Sequence, residues 1–263
     1  MPAPLQCRCD RSVRPAENRS CVADPARSNL YSDMTLVQQA AQEQGRREQG
    51  KQRRRRRILD AAAQLVEAEG LDGLTMRRLS DAAGVSYATV YNLVGSKEDV
   101  LVALLRSGLE DLGAQLAAVA SRDPLDRARA LVAGVVDHFV ARPALYRALV
   151  QAVHDPAAGA RGVPIRRRTI ALYEASIRDA MDRGLLRDDL DPHVLGLHVT
   201  LAVNGVIRRW AAGEMNAAGF RAEADFALRV SLLGVATPTT RNQLLAELRA
   251  CERVLARPGN RAA

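Results

Sequence analysis

Aromatic residues are scarce in this chain, at 3% of 263 residues. With Ala, Leu, Val and Arg dominant, that shortage speaks against a β-rich fold and for helices. Cysteine is scarce too. Cys7, Cys9 and Cys21 sit in a polar N-terminal stretch, Cys251 lies near the other end, and no pairs have the double C-x-x-C spacing of a zinc site. No structural metal is expected, and a reducing compartment is the simple inference. No apolar run reaches 18 residues, so no membrane partner is expected. The N-terminus lacks the apolar stretch of a signal peptide, and the expected location is the cytoplasm. There is no phosphate-binding glycine loop, no nucleophile–base pair and no metal motif. The four histidines are scattered, and His193 and His198, five apart, share a helix face poorly. No enzyme activity and no cofactor are expected. His138 and His198 are either ordinary packed or surface side chains or part of a ligand cavity.

What the chain has is apolar mass and localised charge. Hydrophobic residues make up 48%, enough for a real core, and the net charge is +8. Residues 46–57, "RREQGKQRRRRR", hold eight basic residues and one acid, so nearly all the excess sits in one block. Such a block beside a folded domain suits a polyanion such as nucleic acid. A solvated, disordered run is the competing reading. Residues 1–45 show no periodicity and read as a disordered extension. Met34 lies inside it, and translation could start at Met1 or at Met34.

From Ile58 the pattern becomes helical. "ILDAAAQLVEAEG" places Ile58, Ala62 and Leu65 beside Leu59, Ala63 and Val66, and Gly70 stops the helix. Thr75 is an N-cap for a short helix with Met76, Leu79 and Ala83 on its apolar face, and Gly84 ends it. "VSYATVYNLV" is the next, anchored by Val85, Val90 and Val94. Ser96 and Asp99 then form a capping box for a long helix from Lys97. The remaining chain reads as further helices. One ends at Arg142-Pro143, a second stops before Pro156, a third spans "IRRRTIALYEASIRDAMDRG", and Asp191-Pro192 opens a fourth that reaches Gly213. Others run from about Arg221 to Val235 and from Pro238 to about Leu255. Asp188, Asp189 and Asp191 are best explained by capping.

Two short helices joined by a glycine turn make a helix-turn-helix unit. If its valines face inward, Tyr87, Ala88, Tyr91 and Asn92 face outward. Exposed tyrosines beside small residues suit a surface pressed into a DNA groove, where polar tips reach phosphates or base edges. Taken alone, Tyr91 could equally pack on a neighbouring helix.

The stretch "RRRILDAAAQLVEAEGLDGLTMRRLSDAAGVSYATVYNLVGSKEDVLVALL" resembles the DNA-binding domain of the TetR family of bacterial transcriptional regulators. The remainder resembles the family's ligand-binding domain in layout only. The resemblance implies an all-α fold: an N-terminal three-helix helix-turn-helix domain over 46–112, with the motif at 75–94, and a helical ligand-binding and dimerisation domain over 113–255. Residues 256–263 are expected to be a flexible tail. It also implies a homodimeric repressor, a double-stranded operator with two half-sites, and release by an unidentified small molecule. Carried over by position, Thr75 holds a phosphate and Arg77 reaches a guanine edge. Ser86, Tyr87 and Ala88 face bases, Thr89 and Tyr91 contact phosphates, Asn92 pairs with an adenine edge, and Lys97 adds a phosphate contact. Many members carry His-Phe where this chain has Leu93-Val94, so one expected DNA contact is absent at Leu93. The stripe Leu195, Val199, Ala202, Val206 and Trp210 on one helix, and Phe226, Val230 and Leu233 on the next, are the expected dimer interface. Trp210 could equally be a core residue. A helical ligand carrier or enzyme without a DNA role is the alternative reading.

Overall fold

The computed structural model describes residues 25–117, 123–153 and 163–260. The chain divides into two compact units, one up to Gly50 and one from Lys51 onwards. A helical span, α1 (Pro25–Gly73), runs through that boundary. Residues 25–45 are therefore helical, where the sequence suggested an unstructured extension. Their Gln and Ala content favours helix. Residues 1–24 lie outside the described residues.

In the second unit α1 breaks at Gly70, the position expected from sequence, where φ is 70° and ψ is −166°. Then follow α2 (Met76–Ala83), α3 (Tyr87–Leu93) and α4 (Lys97–Ala117). Ile58, Ala62 and Val66 of α1, Leu79 of α2, Val90 of α3 and Val100 of α4 meet in one core with Leu74. The helical period of the sequence marked this core correctly. Val85 and Val94 are partly buried against it.

Six more helices complete the chain among the described residues: α5 (Pro124–Ala141), α6 (Pro143–Val153), α7 (Val163–Asp182), α8 (Pro192–Ala211), α9 (Ala217–Leu233) and α10 (Pro238–Leu255). Helix α8 packs between α7 and α9, α10 covers α9, and α6 packs on α4 and α8. Asp191 caps α8 by accepting from the His193 amide at 2.8 Å. Helix α9 starts four residues before the expected Arg221, because the Asn216 side chain accepts from Gly219 N at 2.9 Å. No strand occurs among the described residues, and one isolated antiparallel bridge joins Leu186 to Ala236. Glu247 of α10 accepts from Arg229 of α9 at 2.8 Å and from Arg129 of α5 at 3.0 Å, which ties three helices together. Residues 256–260 are not a loose tail. Asn260 is buried, donates to the Val254 carbonyl at 2.7 Å, and lies so close to Gly219 that no side chain fits there.

The expected dimer stripe on α8 is corrected. Leu195, Val199, Val206 and Trp210 are buried inside their own chain, Val199 completely. Trp210 stacks on Phe220 at 4.9 Å, meets Phe139 edge-on at 6.0 Å and carries the Arg147 guanidinium 5.0 Å above its ring. Helix α8 is apolar on more than one face, and its bulkiest stripe is the core. Ala202, Phe226 and Leu233 are half-buried, and Val230 is exposed. The apolar side chains that α8 leaves open are Val194 and Leu201.

Candidate nucleic-acid interface

Helix α2 begins because Thr75, in extended conformation, accepts from the Arg78 amide at 3.3 Å. It ends at Gly84, whose φ of 61° and ψ of 44° lie in the left-handed region. That residue turns the chain tightly enough for α3 to start three positions later. Ser86 caps α3 by accepting from Thr89 N at 3.2 Å, and its hydroxyl also bonds that of Thr89 at 2.7 Å.

Helix α3 is only seven residues long. Val90 fastens it to the core with no exposed surface. Positions 87, 88, 91 and 92 then share the opposite face, as one-turn spacing requires. Tyr87, Ala88, Tyr91 and Asn92 are all exposed, the tyrosines at 52% and 45%. The two rings lie 5.0 Å apart, and the Tyr87 hydroxyl donates to Tyr91 at 3.4 Å. The hydrogen bond from the Tyr87 hydroxyl pushes the Tyr91 phenol above its ordinary value, and a phenol hydroxyl that accepts one bond can still donate another.

Around this face the charges divide. Arg77 is exposed and pairs with no acid among the described residues. Its neighbour Arg78 is held by Glu69 in two parallel bonds of 2.6 and 2.5 Å. That pair lowers the Glu69 carboxyl and raises the Arg78 guanidinium. Lys97 is also engaged internally. Its ammonium donates to the Leu71 carbonyl at 2.8 Å, joining the start of α4 to the end of α1, just past the break at Gly70. The capping box is formed: Asp99 accepts from Ser96 N and Ser96 Oγ, both at 2.9 Å, and its amide donates back to Ser96 Oγ at 3.3 Å. Gly95, with φ at 112°, makes the turn into it.

The structure thus brings together Thr75, Arg77, Ser86, Tyr87, Ala88, Thr89, Tyr91 and Asn92 on or beside two short helices. Lys97 is turned to a backbone carbonyl instead. Sequence reasoning missed the Arg78–Glu69 pair and Arg55, whose Nη1 donates to the Leu93 carbonyl at 2.6 Å. Nothing in an unbroken arginine run marks one member as different. Of the histidines, His138 bonds the Tyr146 hydroxyl, His193 bonds Glu174 at 2.9 Å and His198 is exposed on α8. His154 lies outside the described residues. No cluster of metal-ligating side chains occurs among the described residues.

Residues 58–104, which contain both short helices and the start of α4, match the family model described as bacterial regulatory proteins, tetR family. That segment is a TetR-family DNA-binding domain. The chain is 29% identical over 168 residues to the HTH-type transcriptional repressor Rv1474c of Mycobacterium tuberculosis, covering 61% of this chain and 84% of that one. It is 33% identical over 109 residues to the HTH-type transcriptional regulator BetI of Burkholderia ambifaria, covering 39% of this chain and 56% of BetI. Among solved structures, its fold is similar to that of SmeT, the repressor of the Stenotrophomonas maltophilia multidrug efflux pump SmeDEF. That match has a TM-score of 0.56 and 20% identity, and covers 71% of this chain and 92% of SmeT. With its helix-turn-helix, that domain match and this similarity, the protein is a DNA-binding transcriptional regulator. No helix among the described residues is long and apolar enough to cross a membrane.

Proposed function

We propose that the chain acts in the cytoplasm as a homodimeric repressor that holds a two-half-site operator and releases it when a small molecule binds the C-terminal helices. The observation that carries the DNA part is the α3 face: two tyrosines, an alanine and an asparagine exposed on a two-turn helix whose other side is locked by Val90. Ala88 allows close approach. Tyr87 and Asn92 reach base edges, Asn92 with the amide geometry that suits adenine. Tyr91, Thr89 and Thr75 serve phosphates, and Arg77, paired with no acid among the described residues, is placed for a guanine edge. Ser86 faces the bases from its cap. Lys97 adds a phosphate contact with the two N–H groups left over from the Leu71 carbonyl.

The dimer reading rests on the apolar groups left open on α8 and α9. Val194 and Leu201 are 47% and 48% exposed, and Val230 of α9 is 47% exposed, with Phe226 and Leu233 half-buried near it in sequence. Pairing these faces with a second copy about a two-fold axis buries them. It also sets two α3 helices about one DNA turn apart, roughly 34–36 Å. A ligand among α5, α6 and α7 causes release only if it binds better to a state with a different spacing. The protein works by binding, with no catalytic step. A gel shift with the upstream region of its own gene tests the reading: a shifted band that resists random competitor DNA supports it, and competition by any DNA equally refutes it.

A further inference from the structure

We propose that Arg55 is a positioning residue for DNA recognition: it fixes the C-terminal end of α3, while the other arginines of the run face outward. The inference rests on the reading of α3 as the recognition helix. Helix α3 has two turns, so most of its carbonyls lie at its C-terminal end, where intrahelical partners run out. The amides of Val94 and Gly95 both turn back to the Val90 carbonyl, at 2.9 and 3.4 Å. The Leu93 carbonyl takes its bond from Arg55 instead, across 38 residues. A guanidinium at that end meets the negative pole of the helix, in a charge-assisted bond. Leu93 has no polar side chain with which to secure the helix end.

Register on α1 decides which arginine does this. Arg55 lies three and four residues before Ile58 and Leu59, both buried, and so shares their inward face. All five arginines from Arg53 to Arg57 are exposed, and Arg53, Arg54, Arg56 and Arg57 point elsewhere around the helix by register. The consequence for recognition is geometric. Tyr91 and Asn92 directly precede Leu93. At about 1.5 Å per residue α3 is about 10 Å long, so a tilt of about 15° about its cap moves that end by about 2.5 Å. Such a displacement breaks a hydrogen bond to a base edge. Arg55 therefore supports specific binding without touching a phosphate.

The test uses the full chain with Arg55→Ala, Arg55→Lys and Arg54→Ala. Amide hydrogen exchange is read over α3 in the free protein. Affinity for the selected operator and for random DNA is read against salt. Arg55→Ala is expected to speed α3 exchange while α5 to α10 stay protected, and to weaken operator binding about tenfold with random-DNA binding and the salt slope unchanged. Arg55→Lys restores most of both. Arg54→Ala weakens operator and random DNA together and lowers the slope by about 0.9. Unchanged α3 exchange in Arg55→Ala overturns the proposal. So does an Arg55→Ala slope that falls by about 0.9 with equal losses on both DNAs, since that marks a phosphate contact. If Arg55→Ala does not fold, Arg55→Lys carries the same readings against wild type, with partial α3 loosening expected and none refuting. A wild-type chain without sequence preference overturns the recognition reading alone, because the exchange data still decide whether Arg55 holds α3.

Discussion

Leu201→Arg separates assembly from folding. Leu201 is 48% exposed in the single chain, so an arginine there reaches water and the protomer keeps its core. In a two-fold pair the open half is covered. Full burial of a leucine is worth about 1.5–3 kcal/mol, so the open half contributes about 1 kcal/mol per copy and about 2 per dimer. The substitution removes that and places two like charges in an apolar contact, which adds at least about 2 kcal/mol. A loss of about 4 kcal/mol weakens the dimer about a thousandfold. Sedimentation equilibrium beside a thermal melt reads both quantities. The expected result is a monomer that melts within a few degrees of the wild-type protomer. Val199→Arg is the control, because Val199 has no exposed surface and a buried unpaired charge unfolds the chain. A Leu201→Arg protein that dimerises like wild type refutes the face. A Val199→Arg protein that folds as a monomer returns the interface to the buried stripe.

Asp99→Ala removes the acceptor for both Ser96 bonds and is expected to cost about 1–2 kcal/mol of stability, read by urea titration. Arg77→Ala is expected to cost roughly 1–3 kcal/mol at one base pair and to relax specificity there, read by competition with single-substituted operators. The Arg142 guanidinium, in two bonds to Glu67 of 3.1 and 2.7 Å, holds that carboxyl below its usual 4.5. A lowered folded value means the stabilisation is present above about pH 4.5 and is lost as pH falls through the folded value. Melts of Glu67→Gln and wild type are therefore expected to differ at pH 7 and to converge in acid. A gap that persists at pH 2 contradicts this.

Helical period made the first core legible, because Ile58, Ala62, Val66, Leu79 and Val90 each recur on one face and each is buried. The caps were legible for the same local reason: Thr75, Ser96 with Asp99, and Asp191 act within three residues of themselves. The α8 interface was not, since a helix packed between two neighbours is apolar on several sides and period alone does not say which side meets water. Leu195 and Leu201 look alike in sequence and differ sixfold in exposure, at 8% and 48%. The internal bonds of Lys97 and Arg55 were not legible for a related reason. Their partners, the Leu71 and Leu93 carbonyls, are 26 and 38 residues away and are backbone atoms that no side-chain pattern announces.

The central claim is that the α3 face reads DNA sequence. Selection of bound duplexes from a random library, followed by footprinting at 150 mM salt with wild type and Tyr87→Ala/Asn92→Ala, tests it without knowledge of the natural operator. The expected result is one enriched motif with two symmetric half-sites about one helical turn apart, protected by wild type and lost in the double variant while random-DNA affinity is kept. No enriched motif, or a motif that the double variant binds equally well, contradicts the account.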